Sequence, residues 1–180
     1  TLNIEAPLKM IKEGLRHTQK VYKGVFEFTN LVKKEVVLNR AEYDLREILV
    51  DYLTATAYRS QVHIEDLGLF PVNEPLFCTA IDNLIRNGLK YNDSPSKLIR
   101  IYRTGSFLYI EDNGRGLTRE EFTALSKPYA RKENQRESGT GLGLNISIAI
   151  SEEHGFRIYC DLLETNDGTS AGTKIAIRLT

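Results

Sequence analysis

Residues 82–92 read DNLIRNGLKYN. They close a stretch in which positions 76, 77, 80, 81, 84, 85 and 89 are all apolar. Steps of three and four at that density predict one long amphipathic helix, running to about Tyr91. Asn73 is suited to cap its start, Pro75 fits the first turn, and NDSPS at 92–96 stops it. The polar residues of this helix are the unusual part. Asn83, Asn87 and Lys90 stand at i, i+4 and i+7, so they share a face beside the apolar one. Asn is a poor helix former and is costly to bury without a partner. Two Asn one turn apart, with a Lys one turn further, mark a candidate binding face. On this stretch alone a solvated helix edge is an equal alternative.

Outward from that helix the chain continues as Leu98–Arg103 and Phe107–Glu111, two strands joined by TGS, which is a hairpin signal. DNGRG at 112–116 follows. It is a carboxylate at a strand end succeeded by two glycines, and alone it is only a turn. Thr118 is placed to cap a short helix, REEFTALS. The polar run 126–140, SKPYARKENQRESGT, predicts a mobile lid. It leads into ESGTGLGL at 137–144, with glycines at 139, 141 and 143 ahead of a helix over Leu144–His154 that Gly155 ends. This run has G-x-G but neither G-x-G-x-x-G nor G-K-[ST], and it follows a charged loop rather than a strand. The dinucleotide and P-loop readings therefore fail on context. A phosphate cradle at a helix start and a plain hinge both remain. Phe156–Leu163 and Thr173–Leu179 are the last two strands, joined by ETNDGTSAG.

Towards the N-terminus, Leu8, Ile11, Leu15, Thr18, Tyr22, Val25, Thr29 and Val32 form a heptad-like seam, as in a helix laid along another helix in a multi-helix or dimer contact, with an ordinary amphipathic helix docked on its own domain as the alternative. Val36–Leu38 is a strand candidate. Leu45–Tyr58 reads as a helix with apolar residues at 45, 48, 49, 52 and 53, and Val62–Ile64 and Leu67–Val72 read as short strands. Helices and strands interleave without strict βαβ alternation. The expected class is α+β, a two-layer sandwich with helices covering one face of a mixed sheet, preceded by a long N-terminal helix.

The composition of the 180 residues, 41% hydrophobic and 27% charged, suits one compact soluble domain with an appended element. Lys+Arg and Asp+Glu are both 24. That balance implies no broad basic face and argues against nucleic acid as the main partner. No apolar run approaches the roughly 20 residues of a bilayer span, and the first residues do not read as a signal peptide. The chain starts at Thr1 and reads as a piece of something longer. Cys78 and Cys160 have neither CxxC spacing nor a His cluster nearby, and are expected as buried free thiols in a reducing compartment.

Taken in order, the motifs are specific. N-x-x-x-N-G-x-K-Y, then D-N-G-R-G-L, then G-T-G-L-G-L, then G-T-K-I near the end resemble the GHKL ATP-binding fold. Within it, the chain is similar to the catalytic domain of a sensor histidine kinase over roughly Tyr43–Thr180. Residues 4–34 resemble the second helix of the dimerisation hairpin of such kinases. The implied division is 1–34 for the stem and 35–180 for the ATP-binding domain.

The resemblance implies roles. Asn87 would hold Mg²⁺ against the phosphates, since that ion takes hard oxygen ligands and keeps several waters. Lys90 would reach a phosphate, and Tyr91 would lie against the adenine or ribose. Asp112 would accept from the adenine amino group, and a guanine, with an acceptor at that edge, would be repelled. Gly114 and Gly116 would let the chain pass close to the base. Gly139, Thr140, Gly141, Leu142 and Gly143 would hold the phosphates, and Thr173 would close the far side of the base pocket. In hydrolysing members a Glu stands four residues before the metal Asn; here that position is Asn83, and an amide is no general base. Asn83 with Arg131 would serve transfer to a bound acceptor, Arg131 neutralising charge on the γ-phosphate.

One departure lies in the lid. PYAR at 128–131 stands where such kinases usually read Pro-Phe-Tyr-Arg, and Ala130 removes an aromatic anchor. Nothing here reads as the acceptor motif, so the phosphoacceptor His is expected upstream of Thr1. His17 falls on the outer side of the N-terminal helix and is expected to be solvated; His63 and His154 read as structural. The implied cofactors are ATP and Mg²⁺. The implied partners are the protein's own dimerisation domain in a homodimer, and a response regulator receiver domain, in a cytoplasmic setting. A degenerate kinase-like regulatory module is one alternative. A GHKL protein that hydrolyses ATP or phosphorylates Ser/Thr is another.

Overall fold

The structure is a computed structural model that describes residues 4–33, 38–126, 143–164 and 170–180. Helix α1 spans Glu5–Lys33. Strand β1 (Ala41–Asp44) leads directly into helix α2 (Leu45–Leu53), whose N-cap is Asp44, accepting the Glu47 amide at 3.0 Å. A single 3₁₀ turn and the short strands β2 (Val62–Ile64) and β3 (Leu69–Val72) come next. Helix α3 covers Glu74–Lys90. Strands β4 (Ile99–Thr104) and β5 (Phe107–Asp112), helix α4 (Arg119–Leu125), helix α5 (Gly143–Glu153) and strands β6 (Arg157–Glu164) and β7 (Ser170–Arg178) complete the order.

The main sheet has the order β2-β4-β5-β7-β6. Only β2 and β4 pair in parallel; the other three pairings are antiparallel. β1 and β3 form a separate antiparallel ribbon. Alternation along β4 and β5 sends Ile99, Ile101, Leu108 and Ile110 to the helical side, where they are buried. There they meet the inner faces of α2 and α3 in one continuous apolar cluster that also holds Leu144 of α5 and Ile177 of β7. The expected two-layer α+β sandwich is what the chain forms. The opposite sheet face carries Tyr102, Tyr109, Phe107 and Tyr159: Tyr109 stacks on Tyr102 of the neighbouring strand and on Phe107 of its own, and Phe107 meets the tilted ring of Tyr159 on β6, two strands away.

Several boundaries differ from expectation. Most of the strand expected at Val36–Leu38 falls at 36–37, outside the described residues. Leu38 has no regular structure, and a strand lies at Ala41–Asp44. Helix α2 ends at Leu53 rather than Tyr58, because the Thr56 amide and hydroxyl both take the Leu53 carbonyl, at 2.9 and 2.7 Å, and close the chain into a turn. His17 is not solvated. Its ring stands edge-on to Tyr52 of α2 at 5.3 Å, and its Nδ1 is buried without a hydrogen-bond partner among the described residues. α1 thus packs against α2 and α3. Other seam residues, Leu8, Ile11, Leu15 and Tyr22, remain exposed. His154 is structural, as expected. Nδ1 lies 2.8 Å from the Ile150 carbonyl, and Nε2 accepts the Asn73 amide at 3.0 Å, which ties α5 to the cap of α3. Both cysteines are buried thiols, not joined in a disulfide. Among the described residues no helix is long and apolar enough to cross a membrane.

Candidate functional site

Helix α3 is the wall on which the candidate site is built. Its cap is as anticipated, with Asn73 Oδ1 accepting the Leu76 amide at 3.2 Å and Pro75 in the first turn. The polar face splits by depth. Asn83 is buried, whereas Asn87, Lys90 and Tyr91 are half-buried at the C-terminal end. The Asn87 side chain makes no hydrogen bond among the described residues, although its carbonyl accepts the Tyr91 amide at 3.0 Å. Lys90 Nζ stands 5.6 Å from the centre of the Tyr91 ring.

Asp112, at the end of β5, comes to the C-terminal part of this helix. A β-carbon built on Gly88 would be 3.7 Å from Asp112 Oδ2 and 3.5 Å from its Cβ. Asp112 Oδ1 accepts the Gly114 amide at 2.9 Å and the Thr173 amide at 3.4 Å. Burial pushes its carboxyl above the ordinary 3.8; those N–H donors pull the other way. Thr173 is itself buried, and its hydroxyl oxygen accepts the Leu117 amide at 2.8 Å. One threonine therefore joins β7, the end of β5 and the chain leaving the D-N-G-R-G turn. Gly116 has φ +79°, a value that favours glycine in this turn.

The motifs alone did not reveal the parts played by Gly172 and Asn113, or the packing that Gly114 makes besides its expected approach to the base. Gly172, with φ +131°, passes so close to Asp112 that a β-carbon would stand 1.8 Å from the Asp112 carbonyl oxygen. At Gly114 a β-carbon would stand 2.7 Å from Asn92 Cα. That glycine allows close packing on the end of α3, in addition to any approach to a base. Asn113 works as a latch. Its Oδ1 accepts from Asn92 Nδ2 and from the Leu98 amide, both at 2.8 Å, and its Nδ2 donates to the Ser96 carbonyl at 2.8 Å. Sequence reading took NDSPS and DNG as two separate turns. They are one hydrogen-bonded unit that holds Asp112 in place.

At the other end of the polar face, Gly143 opens α5 beside Asn83, where a β-carbon would stand 3.7 Å from Asn83 Oδ1. Ser147, one turn into α5, donates to the Ala80 carbonyl of α3 at 2.9 Å and fixes the two helices together. Asn83, Asn87, Lys90, Tyr91, Asp112, Gly114, Gly116, Gly143 and Thr173 thus lie along α3 or on elements that touch it or one another. Arg131, Gly139, Thr140, Gly141 and Leu142 lie outside the described residues. No cluster of three His, Cys, Asp or Glu suited to a metal occurs among the described residues.

Residues 72–180 match the family model described as "Histidine kinase-, DNA gyrase B-, and HSP90-like ATPase". The chain is 32% identical over 142 residues to cyanobacterial phytochrome B of Nostoc sp., a match covering 70% of this chain and 18% of that protein. It is 30% identical over 118 residues to the sensor histidine kinase YvrG of Bacillus subtilis, covering 64% of this chain and 19% of that one. The chain thus spans about a fifth of the length of these relatives. In fold it is similar to the mycobacterial sensor histidine kinase MprB, with a TM-score of 0.61 at 22% identity over 78% of this chain and 96% of that one. It is also similar to full-length ShkA in complex with AMPPNP, with a TM-score of 0.62 at 16% identity over 99% of this chain and 39% of that one.

Proposed function

We propose that this chain, which belongs to the histidine kinase-, DNA gyrase B- and HSP90-like ATPase family, is the ATP–Mg²⁺-binding catalytic part of a sensor histidine kinase. Its curated relatives include named sensor histidine kinases, and its ATP-binding domain is of their type. In this reading the γ-phosphate passes from ATP to a histidine outside the chain, and from there to the receiver domain of a response regulator. One observation carries it. A single helix, α3, meets the Asp112 carboxylate at residue 88 and the start of α5 at residue 83, with the Asn87 amide, which makes no side-chain hydrogen bond among the described residues, between them. That order supplies a base-reading acceptor, a hard oxygen donor and a helix start along one wall.

The roles follow from these groups. Asp112 takes the exocyclic amine of adenine, held by the Gly114 and Thr173 amides and the Asn113 latch. Asn87 offers its amide oxygen to Mg²⁺, and Lys90 and Tyr91 line the phosphate and ribose side. When bound, Mg²⁺ supplies charge neutralisation for the phosphates. The protein's own work is positional and electrostatic, keeping the nucleotide still beside an incoming nucleophile. Arg131 and residues 139–142 enter this reading through their motif alone. Asn83 in place of a carboxylate disfavours activation of water. The exposed seam on α1 supports a two-chain stem formed by residues 1–34, with 35–180 as the nucleotide-binding unit.

The test is to incubate the full-length protein with ATP labelled at the γ-phosphate and Mg²⁺. The expected product is acid-labile, alkali-stable label on the protein. Steady release of inorganic phosphate with no label on the protein would instead favour a hydrolysing member of the family. Nucleotide binding with neither product would favour a regulatory module.

A further inference from the structure

Strand β6 forms an edge of the main sheet, with β7 on one side and, among the described residues, no strand on the other. Native sheets blunt such edges with short strands, lysine or proline. The opposite edge follows that rule, since β2 has only three residues. β6 has eight, Arg157–Glu164, with neither lysine nor proline, and its register slips only at Leu163/Glu164. Among the described residues, no backbone hydrogen bond from a loop or helix reaches it. Two concavities of about 630 and 560 Å³ lie beside it, one reaching Tyr109 and Asp161, the other Ile148 and Arg157.

Register fixes where the side chains of this edge point. Arg157, Tyr159 and Asp161 lie opposite Arg178, Ala176 and Lys174 of β7, which lie opposite Phe107, Tyr109 and Glu111 of β5. They therefore share the aromatic face of the sheet, and Ile158 and Cys160 point to the helical side. Arg157 is exposed, lies opposite a second exposed arginine, and makes no ion pair among the described residues. Like charges so placed repel, so this end of the edge calls for an anion. Tyr159 is 43% exposed. At the far end the charges are nearly balanced. Lys174 is paired with Glu111 at 3.5 Å, and Arg119 donates to Asp161 from Nε at 3.1 Å and from Nη2 at 2.5 Å. Both of those bonds fall on Oδ1, and Asp161 Oδ2 makes no hydrogen bond among the described residues.

The stretch Arg157-Ile158-Tyr159-Cys160-Asp161 is complementary to itself when reversed. We propose that β6 is a docking edge for a second copy of this chain, the two β6 strands pairing antiparallel about a two-fold axis at Tyr159 and joining the two sheets into one. In that register Arg157 faces the partner's Asp161, Tyr159 faces the partner's Tyr159, and Ile158 faces the partner's Cys160. Cation meets anion and ring meets ring on one face, and apolar meets apolar on the other. Registers that keep the two faces aligned move in steps of two residues. One step either way sets Tyr159 against an arginine or an aspartate and leaves the charges unmatched. The contact is isologous and closed, so each charge pair occurs twice. It is separate from the α1 seam and independent of the nucleotide-binding reading.

The test uses this chain carrying Leu8→Glu and Leu15→Glu, which remove the exposed α1 seam as a source of association. Sedimentation equilibrium is expected to show a monomer–dimer equilibrium. Arg157→Glu and Asp161→Arg should each weaken it at least about tenfold, because each sets like charges face to face twice in the dimer. Combined, the two reversals restore opposite charges and should return the affinity to within about threefold of the parent. A second measurement reads the register directly. Residues opposite each other in an antiparallel pair have Cα atoms about 5 Å apart, within the span of a disulfide. Tyr159→Cys, on the axis, should therefore give a disulfide-linked dimer under mild oxidation, the native thiols being buried. Phe107→Cys, on the same face two strands inward, should not. A chain that stays monomeric, association unmoved by the single reversals, no rescue in the combined variant, or a Tyr159→Cys chain that links no faster than Phe107→Cys would each overturn the assignment.

Discussion

Gly172 and Asp112 lie so close that a single added methyl group would overlap the Asp112 carbonyl oxygen, at 1.8 Å. The backbone of β7 passes the end of β5 at a distance only glycine permits, and φ at Gly172 is +131°. Gly172→Ala should therefore lower stability by about 2 kcal/mol or more and reduce nucleotide affinity with it, because Asp112 has to move. Urea unfolding and fluorescent-nucleotide titration measure the two effects. Gly105→Ala is the control. It also replaces a glycine of positive φ, at +58°, but in open space. It should cost only about 1 kcal/mol and leave nucleotide binding alone.

Asp112→Asn should separate stability from function. The buried Asp112 carboxyl has its folded value raised above 3.8, so it holds its proton more tightly in the folded chain than in the unfolded one. That contribution favours the fold at low pH and is lost as pH rises through the folded value. At neutral pH the carboxylate therefore opposes folding. The Asn variant keeps an acceptor for the Gly114 and Thr173 amides without the charge. Its urea midpoint at pH 7 should equal or exceed that of the wild type, with the gap narrowing as pH falls toward 3.8. ATP affinity should fall at least about tenfold. A lower midpoint at pH 7 would contradict this account.

Asn87→Ala should remove the Mg²⁺-dependent part of ATP binding in calorimetry and leave the metal-free part. A Mg²⁺ titration that still strengthens ATP binding in this variant would displace the metal from Asn87. The fold should be little affected, since that side chain makes no hydrogen bond among the described residues.

His154 makes acid destabilising. Burial holds its pKa below 6.5, and as a neutral ring it accepts the Asn73 amide through Nε2. A His with a depressed folded value contributes stability that is present above 6.5 and is lost as pH falls through the folded value. Protonation would set N–H against N–H at the cap of α3. Thermal midpoints should fall between about pH 7 and pH 5, and His154→Gln should flatten that slope while lowering the plateau.

The thiols should be inert. Burial pushes Cys160 up to about 12, and Cys78 is equally enclosed. Neither should react with a disulfide reagent at pH 8 in the folded chain, and both should react in guanidinium. Rapid labelling of the native protein would show that this part of the core opens readily.

What the amino-acid order made legible follows from periodicity and caps. All seven apolar positions foreseen on α3, and the five on α2, are buried. Thr118 caps α4 as expected, and the structure adds a reciprocal bond from Glu121 that completes a capping box. β1 escaped notice because AEYD is short, mostly polar and half-exposed, and its pairing partner β3 contains Pro71. At the site, Asn83, Asn87 and Asp112 could be read because their chemistry is visible in the residue type. The roles of Gly172, Gly114, Asn92 and Asn113 could not, because they are steric or local and exist only once distant segments meet. The position of His17 was missed for the same reason: its partner, Tyr52, belongs to another helix.

The bond from the Thr173 amide to Asp112 joins residues 61 apart in the chain, and the strand that carries it comes last. Contacts of such separation are entropically late, since the intervening loop must close before they repay it. During ribosomal synthesis α3 emerges well before the segment that completes its cleft. ATP would thus find no purchase on a nascent or half-folded molecule. By mass action a nucleotide bound in that cleft would stabilise the completed fold over any form in which the last strand is still undocked.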